Sequence, residues 1–135
     1  MIIQGLDGKE HKLKVSNRKK GRKSAPHIKA RKLIQKIFLE TFYEEVSLVG
    51  SKTKRNGMLY ADFLSPKARV IIEVHGRQHY EYIPHFHGTK MTFAKAKLRD
   101  QTKIEWAELN SFTLIELPYD KEEEWETLIK TSMNS

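Results

Sequence analysis

Two carboxylates and a histidine are spaced so that a β-hairpin would bring them together. Asp62 closes one apolar stretch, and Glu73 and His75 lie in the next, after a short polar connection. Because side chains alternate along a strand, Glu73 and His75 would share one face, opposite to Ile72 and Val74. A carboxylate in such an apolar strand is costly to bury unless a cation or hydrogen bonds compensate it. The pattern therefore predicts a polar site on this hairpin.

The chemistry that suits these groups is that of a hard divalent cation. Mg²⁺ is usually held by one or two carboxylates and keeps several waters, so Asp62, Glu73 and the backbone carbonyl of Val74 are the candidate ligands. We expect Mn²⁺ to substitute. A metal here would activate a water and stabilise negative charge, while His75 would accept a proton or polarise a phosphate. The alternative is a solvent-facing Glu73 on an edge strand beside an ordinary surface histidine.

The residues that follow His75 add to this constellation. Gly76 would let a duplex backbone approach closely, and Gln78 and His79 come directly after it. His85 and His87, in a Pro-His-Phe-His-Gly segment, are weak candidates for zinc because no cysteine or acidic residue accompanies them. A DNA-facing loop or an ordinary surface loop explains them as well.

Positive charge is concentrated at the start of the chain. Residues 1–36 contain twelve Lys and Arg against two acidic residues, a balance of +10, whereas the other 99 contain thirteen against fifteen, a balance of −2. A basic block of this kind fits binding to a phosphate backbone, although a solvated tail is the alternative. The candidate DNA-binding residues are Arg18, Lys19, Lys20, Arg22, Lys23, Lys29, Lys32 and Arg77.

Composition limits the class of protein. A length of 135 residues favours one domain, and the absence of cysteine excludes disulfides, thiol catalysis and Cys-ligated zinc. We find no secretory signal and no apolar run near the ~20 residues of a membrane span. A cytoplasmic protein is the expectation, in the host cytoplasm if the gene belongs to a phage.

Hydrophobic periodicity predicts an order of hairpin, helix, three strands, helix, strand and helix. In the first half, the predicted elements are a hairpin turning at Asp7-Gly8 with arms at 2–3 and 13–15, a helix opened by Ser24 and running through Ile34 to Phe42, and strands at 46–49, 59–63 and 69–75. In the second half, they are a helix over 92–109 stopped by a left-handed Asn110, a strand over 112–117, and a last helix with an Asp120/Glu123 capping box and buried Trp125, Leu128 and Ile129. This order predicts an α/β fold with a mixed central sheet flanked by helices. Residues 1–23 would be a basic hairpin and arm, and 24–135 a single domain.

The stretch around Asp62 resembles the PD-(D/E)XK nuclease superfamily, with Glu73-Val74-His75 in place of Glu-x-Lys. It is more similar still to the very-short-patch repair (Vsr) branch, whose order of aspartate, His-Gly and second histidine is matched by Asp62, His75-Gly76 and His79. The segment 73–80 looks like the EDxHD homing endonucleases of that branch. Over residues 24–118, the resemblance implies a restriction-endonuclease-like core and a Mg²⁺-dependent DNA endonuclease that leaves a 5′-phosphate.

The same resemblance implies further site residues. Asp100, which shares a helix face with Ala96, Lys103 and Ala107, is the natural late aspartate, and Lys103 would then supply charge to the transition state; the alternative is an exposed Asp–Lys pair worth a few tenths of a kcal/mol. Glu40, Glu44 and Glu45 compete as the early glutamate, and we favour Glu45 at the start of a strand. The chain departs from the family in lacking the Glu-x-Lys lysine and the cysteines of the Vsr zinc site.

The function expected from these patterns is Mg²⁺-dependent cleavage of double-stranded DNA by a homing-type enzyme, without a small-molecule cofactor or a membrane partner. A mismatch- or structure-specific repair nuclease is one alternative. A non-catalytic DNA-binding module is the other, although two carboxylates repel a polyanion unless a cation is present. A homodimer would allow both strands to be cut.

Overall fold

A computed structural model describes residues 1–16, 23–54, 56–76 and 89–134. The predicted order of elements is confirmed. They are β1 (Ile2–Gln4), β2 (Glu10–Lys12), α1 (Ala25–Ile37), β3 (Tyr43–Leu48), β4 (Leu59–Ser65), β5 (Val70–His75), α2 (Lys90–Leu109), β6 (Thr113–Pro118) and α3 (Trp125–Met133), with a 3₁₀ turn at Glu122–Glu124. Within the described ranges, no helix combines the length and the apolar character that crossing a bilayer requires.

A four-stranded mixed sheet forms the centre of the fold. Its strand order is β3-β4-β5-β6, in which the first three strands are antiparallel neighbours and β6 runs parallel to β5. A parallel pair needs a crossover connection, and α2 lies in the one between β5 and β6. Strands β1 and β2 form a separate two-stranded sheet. The expected α/β fold with a mixed sheet flanked by helices is therefore present.

Two apolar clusters pack on opposite faces of this sheet. The first, toward α2 and the N-terminal hairpin, contains Ile3, Leu13, Val46, Leu48, Leu59, Ala61, Leu64, Ile71, Trp106, Ala107 and Phe112. The second, toward α1 and α3, contains Ala30, Ile34, Phe63, Val70, Ile72, Ile115, Leu117, Trp125 and Ile129. Each cluster buries one tryptophan completely, and each indole N–H finds a backbone acceptor, the carbonyl of Val49 at 2.9 Å or of Pro118 at 2.7 Å.

The N-terminal hairpin turns where expected but pairs differently. Its second arm is β2 rather than residues 13–15, because the Asp7 carboxylate accepts the Lys9 N–H at 2.9 Å and contacts His11, which stabilises a wider loop than a two-residue turn. Leu13 lies beyond the strand and is buried in the first cluster. The hairpin is also tied to the end of α2, because the Asn110 amide bonds both the N–H and the carbonyl of Gln4, at 2.7 and 2.9 Å.

Helix α1 begins as predicted, with the Ser24 hydroxyl accepting the His27 N–H at 3.3 Å, but it ends at Ile37. Phe38 is the extended C-cap, and Phe42 reaches the second cluster from the following loop, with its ring centroid 4.7 Å from that of Phe38. Phe42 therefore belongs to the loop after α1, although its spacing in the sequence is that of a helix. Helix α2 starts at Lys90, two residues earlier than predicted, behind the capping hydroxyl of Thr89.

Two predicted features near the C-terminus are wrong. Asn110 has a φ of −103°, and the left-handed residue is its neighbour Ser111, with a φ of 58°; the Asn110 side chain is committed to Gln4 instead. The Asp120 capping box does not form, because a 3₁₀ turn at Glu122–Glu124 delays the start of α3 to Trp125, and no side-chain hydrogen bond caps either element. The expected burial of Trp125 and Ile129 is present, with Leu128 partly buried.

Candidate active site

Strands β4 and β5 stop pairing where the two carboxylates lie. Their ladder ends with the pair Phe63–Ile72. Beyond it, the Asp62 N–H donates to Glu73 Oε2 at 2.7 Å, and the Val74 N–H donates to Asp62 Oδ2 at 2.8 Å. These two reciprocal bonds bridge the strands through side chains, so the hairpin brings Asp62 and Glu73 together at the point where the sheet opens.

The neighbouring strand is distorted at the same level. Glu45 falls between the paired positions Glu44–Phe63 and Val46–Ala61, opposite Asp62, and has a φ of 51°. On one side of this point Val46 and Ala61 face the first cluster, whereas on the other Phe63 faces the second cluster. The usual alternation of side chains is therefore inverted here in both β3 and β4, which a regular pleat does not allow.

Glu73 is the most deeply buried acidic group of this region, with its side chain 3% exposed. It lies on β5, between β4 and β6, so the alternative of an edge-strand solvent residue is excluded. Burial, and then the negative charge of Asp62, raise the pKa of Glu73 to about 7, while the Lys103 ammonium and the Asp62 N–H act in the opposite direction. The site therefore holds more negative charge than its own cation compensates.

Lys103 joins this site from α2, where its ammonium forms an ion pair with Glu73 Oε1. Together with Asp100 it lines a cleft of about 320 Å³ between α2 and the start of β4, whose other lining residues are Met58, Leu59, Tyr60, Ala96 and Arg99. The helical spacing of residues 96, 100 and 103 was thus a usable signal for a shared surface. The structure places Asp100 on the cleft, and it places Lys103 in contact with Glu73, one of the two paired carboxylates.

His75 is buried on the same face of β5 as Glu73, with its Nδ1 atom 3.7 Å from Glu116 Oε2. The alternative of an ordinary surface histidine is therefore excluded. Glu116 lies on β6, in register with Glu73. Sequence reasoning missed Glu116, since its only signal would have been the parallel β5–β6 pairing, which depends on a crossover and cannot be read from local spacing.

The three competing glutamates have different environments. Glu44 turns toward α1, where it accepts from His27 Nε2 at 2.8 Å and from Arg31 Nε and Nη2 at 2.7 and 2.8 Å. Burial opposes its ionisation, but the hydrogen bonds and charges of Arg31 and His27 outweigh burial and lower the pKa of Glu44. Glu45, the favoured residue, forms an ion pair with Lys23, and Glu40 is exposed.

The predicted DNA-binding residues are only partly described. Lys23 is paired with Glu45, Lys29 forms a surface pair with Glu122, and Lys32 is exposed. The other predicted site residues, Arg18, Lys19, Lys20, Arg22, Arg77, Gln78 and His79, lie outside the described residues, as do His85 and His87.

Among the residues that the structure describes, no group of three or more His, Cys, Asp or Glu side chains is arranged to hold a metal ion. Mg²⁺ does not require one, because it is commonly held by one or two carboxylates and by water. Asp62 and Glu73 fit such an ion in donor type and in charge, since two adjacent carboxylates here face one lysine. The Val74 carbonyl is the third candidate ligand.

Comparison with known proteins yields a partial similarity. No family model and no solved structure matches the chain. The uncharacterized protein 307L of Invertebrate iridescent virus 6 is 42% identical over 71 residues, which are 53% of this chain and 36% of that protein. The chain thus spans about a third of the length of this relative, and the similarity brings no function with it.

Proposed function

We propose that the chain is a Mg²⁺-dependent endonuclease that hydrolyses phosphodiester bonds in double-stranded DNA. The observation that carries this proposal is the pair of adjacent carboxylates, Asp62 and Glu73, at the opened end of the β4–β5 hairpin, with His75 on the same strand face. We further propose that the mixed sheet with its flanking helices is a restriction-endonuclease-like core.

Each residue of the site has a defined part in this proposal. Asp62, Glu73 and the Val74 carbonyl would hold Mg²⁺, which lowers the pKa of a bound water and offsets negative charge on a phosphate. Lys103 keeps an ammonium beside Glu73 at the mouth of the cleft, where it would contact a phosphate oxygen. His75, oriented by Glu116, would accept a proton.

The carboxylate pair also argues against a purely DNA-binding module. Burying Glu73 beside Asp62 costs folding free energy, and both charges repel a phosphate backbone. A surface that only binds DNA has no use for either. A homing-type enzyme is the proposed subtype, on the resemblance of residues 73–80 alone.

Cleavage of supercoiled plasmid DNA tests this proposal. We expect Mg²⁺ and Mn²⁺ to support nicking or linearisation, EDTA to stop it, and Asp62→Asn and His75→Gln to abolish it. Asp120→Asn is the matched control, because it removes one exposed carboxylate outside the cleft. Binding without cutting in both metals, on plasmid and on mismatched duplexes, would overturn the proposal in favour of a binding module.

A further inference from the structure

Helix α2 is much longer than the core requires. Its 20 residues span about 30 Å, yet Trp106 and Ala107, in its last turn, are its buried residues. Every residue from 90 to 99 is exposed or half-exposed, including Met91, with 70% of its surface accessible. The first half of α2 is thus a surface that the core does not use.

Charge is distributed unevenly along this helix. Its first ten residues contain Lys90, Lys95, Lys97 and Arg99 and no acidic residue, whereas the last ten contain Asp100, Glu105 and Glu108 against Lys103. Lys95 and Arg99 are like charges four residues apart, an arrangement that is unfavourable for the isolated helix. A polyanionic partner would offset that cost.

Three of the basic residues form a stripe that leads away from the candidate active site. Lys95, Arg99 and Lys103 are spaced four residues apart, so they lie on one helix face at intervals of about 6 Å. Lys103 pairs with Glu73, and Arg99 lines the same cleft. Within the described ranges, neither Lys95 nor Arg99 forms a salt bridge. Lys90 and Lys97 fall on the opposite face.

We propose that Lys95 and Arg99 bind phosphates of the DNA strand that flanks the cleavage point, so that α2 directs this strand to the carboxylate pair. The inference rests on the proposed function and deepens it by assigning a strand-binding surface. Ala96 lies beside Arg99 on the cleft and leaves room for a backbone to approach. An anionic lipid surface could not reach the recessed Lys103 end of the stripe, which is 17% exposed, so DNA is the partner that the stripe fits.

Fluorescence anisotropy with a labelled duplex of about two helical turns, in EDTA and over a series of salt concentrations, tests the stripe. The double variant Lys95→Ala/Arg99→Ala is compared with Lys90→Ala/Lys97→Ala, which removes the same charge from the other face of the same helix. Alanine is the best helix former, so both variants should keep the helix. We expect the stripe variant to lower the salt slope by about 2 and to weaken binding roughly 10- to 100-fold, and the control to change binding less than 3-fold.

The outcomes separate this inference from the proposed function. If both double variants lose the same duplex affinity while the unchanged chain still cleaves plasmid in the presence of metal, the role of the stripe is refuted and the proposed nuclease function is not. Binding of vesicles made of phosphatidylcholine and phosphatidylserine, with no duplex binding, would overturn the choice of partner. Failure of the unchanged chain to bind any duplex and to cut plasmid in Mg²⁺ or Mn²⁺ would overturn both proposals.

Discussion

Glu44 and Glu73 are buried carboxylates associated with opposite faces of the same sheet, and they are compensated in opposite ways. Glu44 accepts three hydrogen bonds from His27 and Arg31, and its pKa is lowered. Glu73 accepts one backbone N–H and one lysine ammonium, but burial and then the charge of Asp62 outweigh them and raise its pKa to about 7. His27 and Arg31 compensate the negative charge of Glu44. Beside Glu73, the single ammonium of Lys103 faces two carboxylates and compensates only one negative charge.

This difference separates a structural carboxylate from a candidate functional one. A satisfied ion pair needs nothing further, and its removal should affect folding. A carboxylate held close to a second one is poised for a cation, and strongly perturbed groups in clefts are candidates for function.

The largest effect expected is on cleavage by Glu73→Gln. The substitution preserves shape but removes a charge that the proposal assigns to binding Mg²⁺, so we expect plasmid cleavage in Mg²⁺ to fall about 1,000-fold, which corresponds to ~4 kcal/mol of activation free energy. Glu44→Gln should cleave within a few-fold of the unchanged chain at a temperature where both are folded. Equal losses in the two variants would break the comparison.

The second-largest effect expected is on stability, where Glu44→Gln should lose more free energy of unfolding than Glu73→Gln. Glu44→Gln leaves the Arg31 guanidinium without its carboxylate, and we expect the free energy of unfolding to fall by about 3 kcal/mol. Glu73→Gln should change it by no more than about 1 kcal/mol near pH 7, where this carboxyl is partly protonated already. Urea denaturation followed by circular dichroism measures both, and a larger loss for Glu73→Gln would contradict the assignment.

The pH dependence of stability should have opposite signs for the two groups. In EDTA, protonated Glu73 stabilises the fold, so its contribution is full below the ordinary pKa of 4.5 and is lost as the pH rises through about 7. The lowered pKa of Glu44 gives a contribution that is present above 4.5 and is lost as the pH falls through its folded value. Denaturation of each glutamine variant and of the unchanged chain, from about pH 2.5 to pH 8, compares the slopes; slopes of one sign would refute this prediction.

The smallest effect expected comes from breaking the surface ion pair of Lys29, which lies on the same helix as Arg31. Lys29→Ala removes a cation paired with Glu122, where both side chains are accessible to water. Such pairs contribute little, so the free energy of unfolding should change by less than about 0.5 kcal/mol. This variant sharpens the comparison by showing that losing a charge from α1 is not enough to reproduce the Glu44→Gln defect. A loss as large as that of Glu44→Gln would remove the distinction.

Local patterns predicted the order of elements and the meeting of Asp62 with Glu73, because alternation and a short connection decide both. They could not distinguish Glu44 from Glu45, since the alternation is inverted at Glu45 and Asp62 in the paired strands. Glu116 was missed because it reaches His75 through a parallel neighbour placed by a long crossover. What the sequence did not predict is therefore what depends on strand distortion and on sheet order.

The bond between Gln4 and the Asn110 amide has a consequence for how the chain folds. It joins residues 106 positions apart, and the burial of Ile3 depends on Trp106 and Phe112 in the same cluster. Two strands alone are marginally stable in water. The bond from the Leu6 N–H to the Gly50 carbonyl ties the turn to the residues just after β3, but the bonds at Gln4 and the packing on Trp106 form when α2 is complete. We therefore expect β1 and β2 to dock late, although they precede α2 in the sequence, and a chain that stops before Asn110 to keep its hairpin undocked.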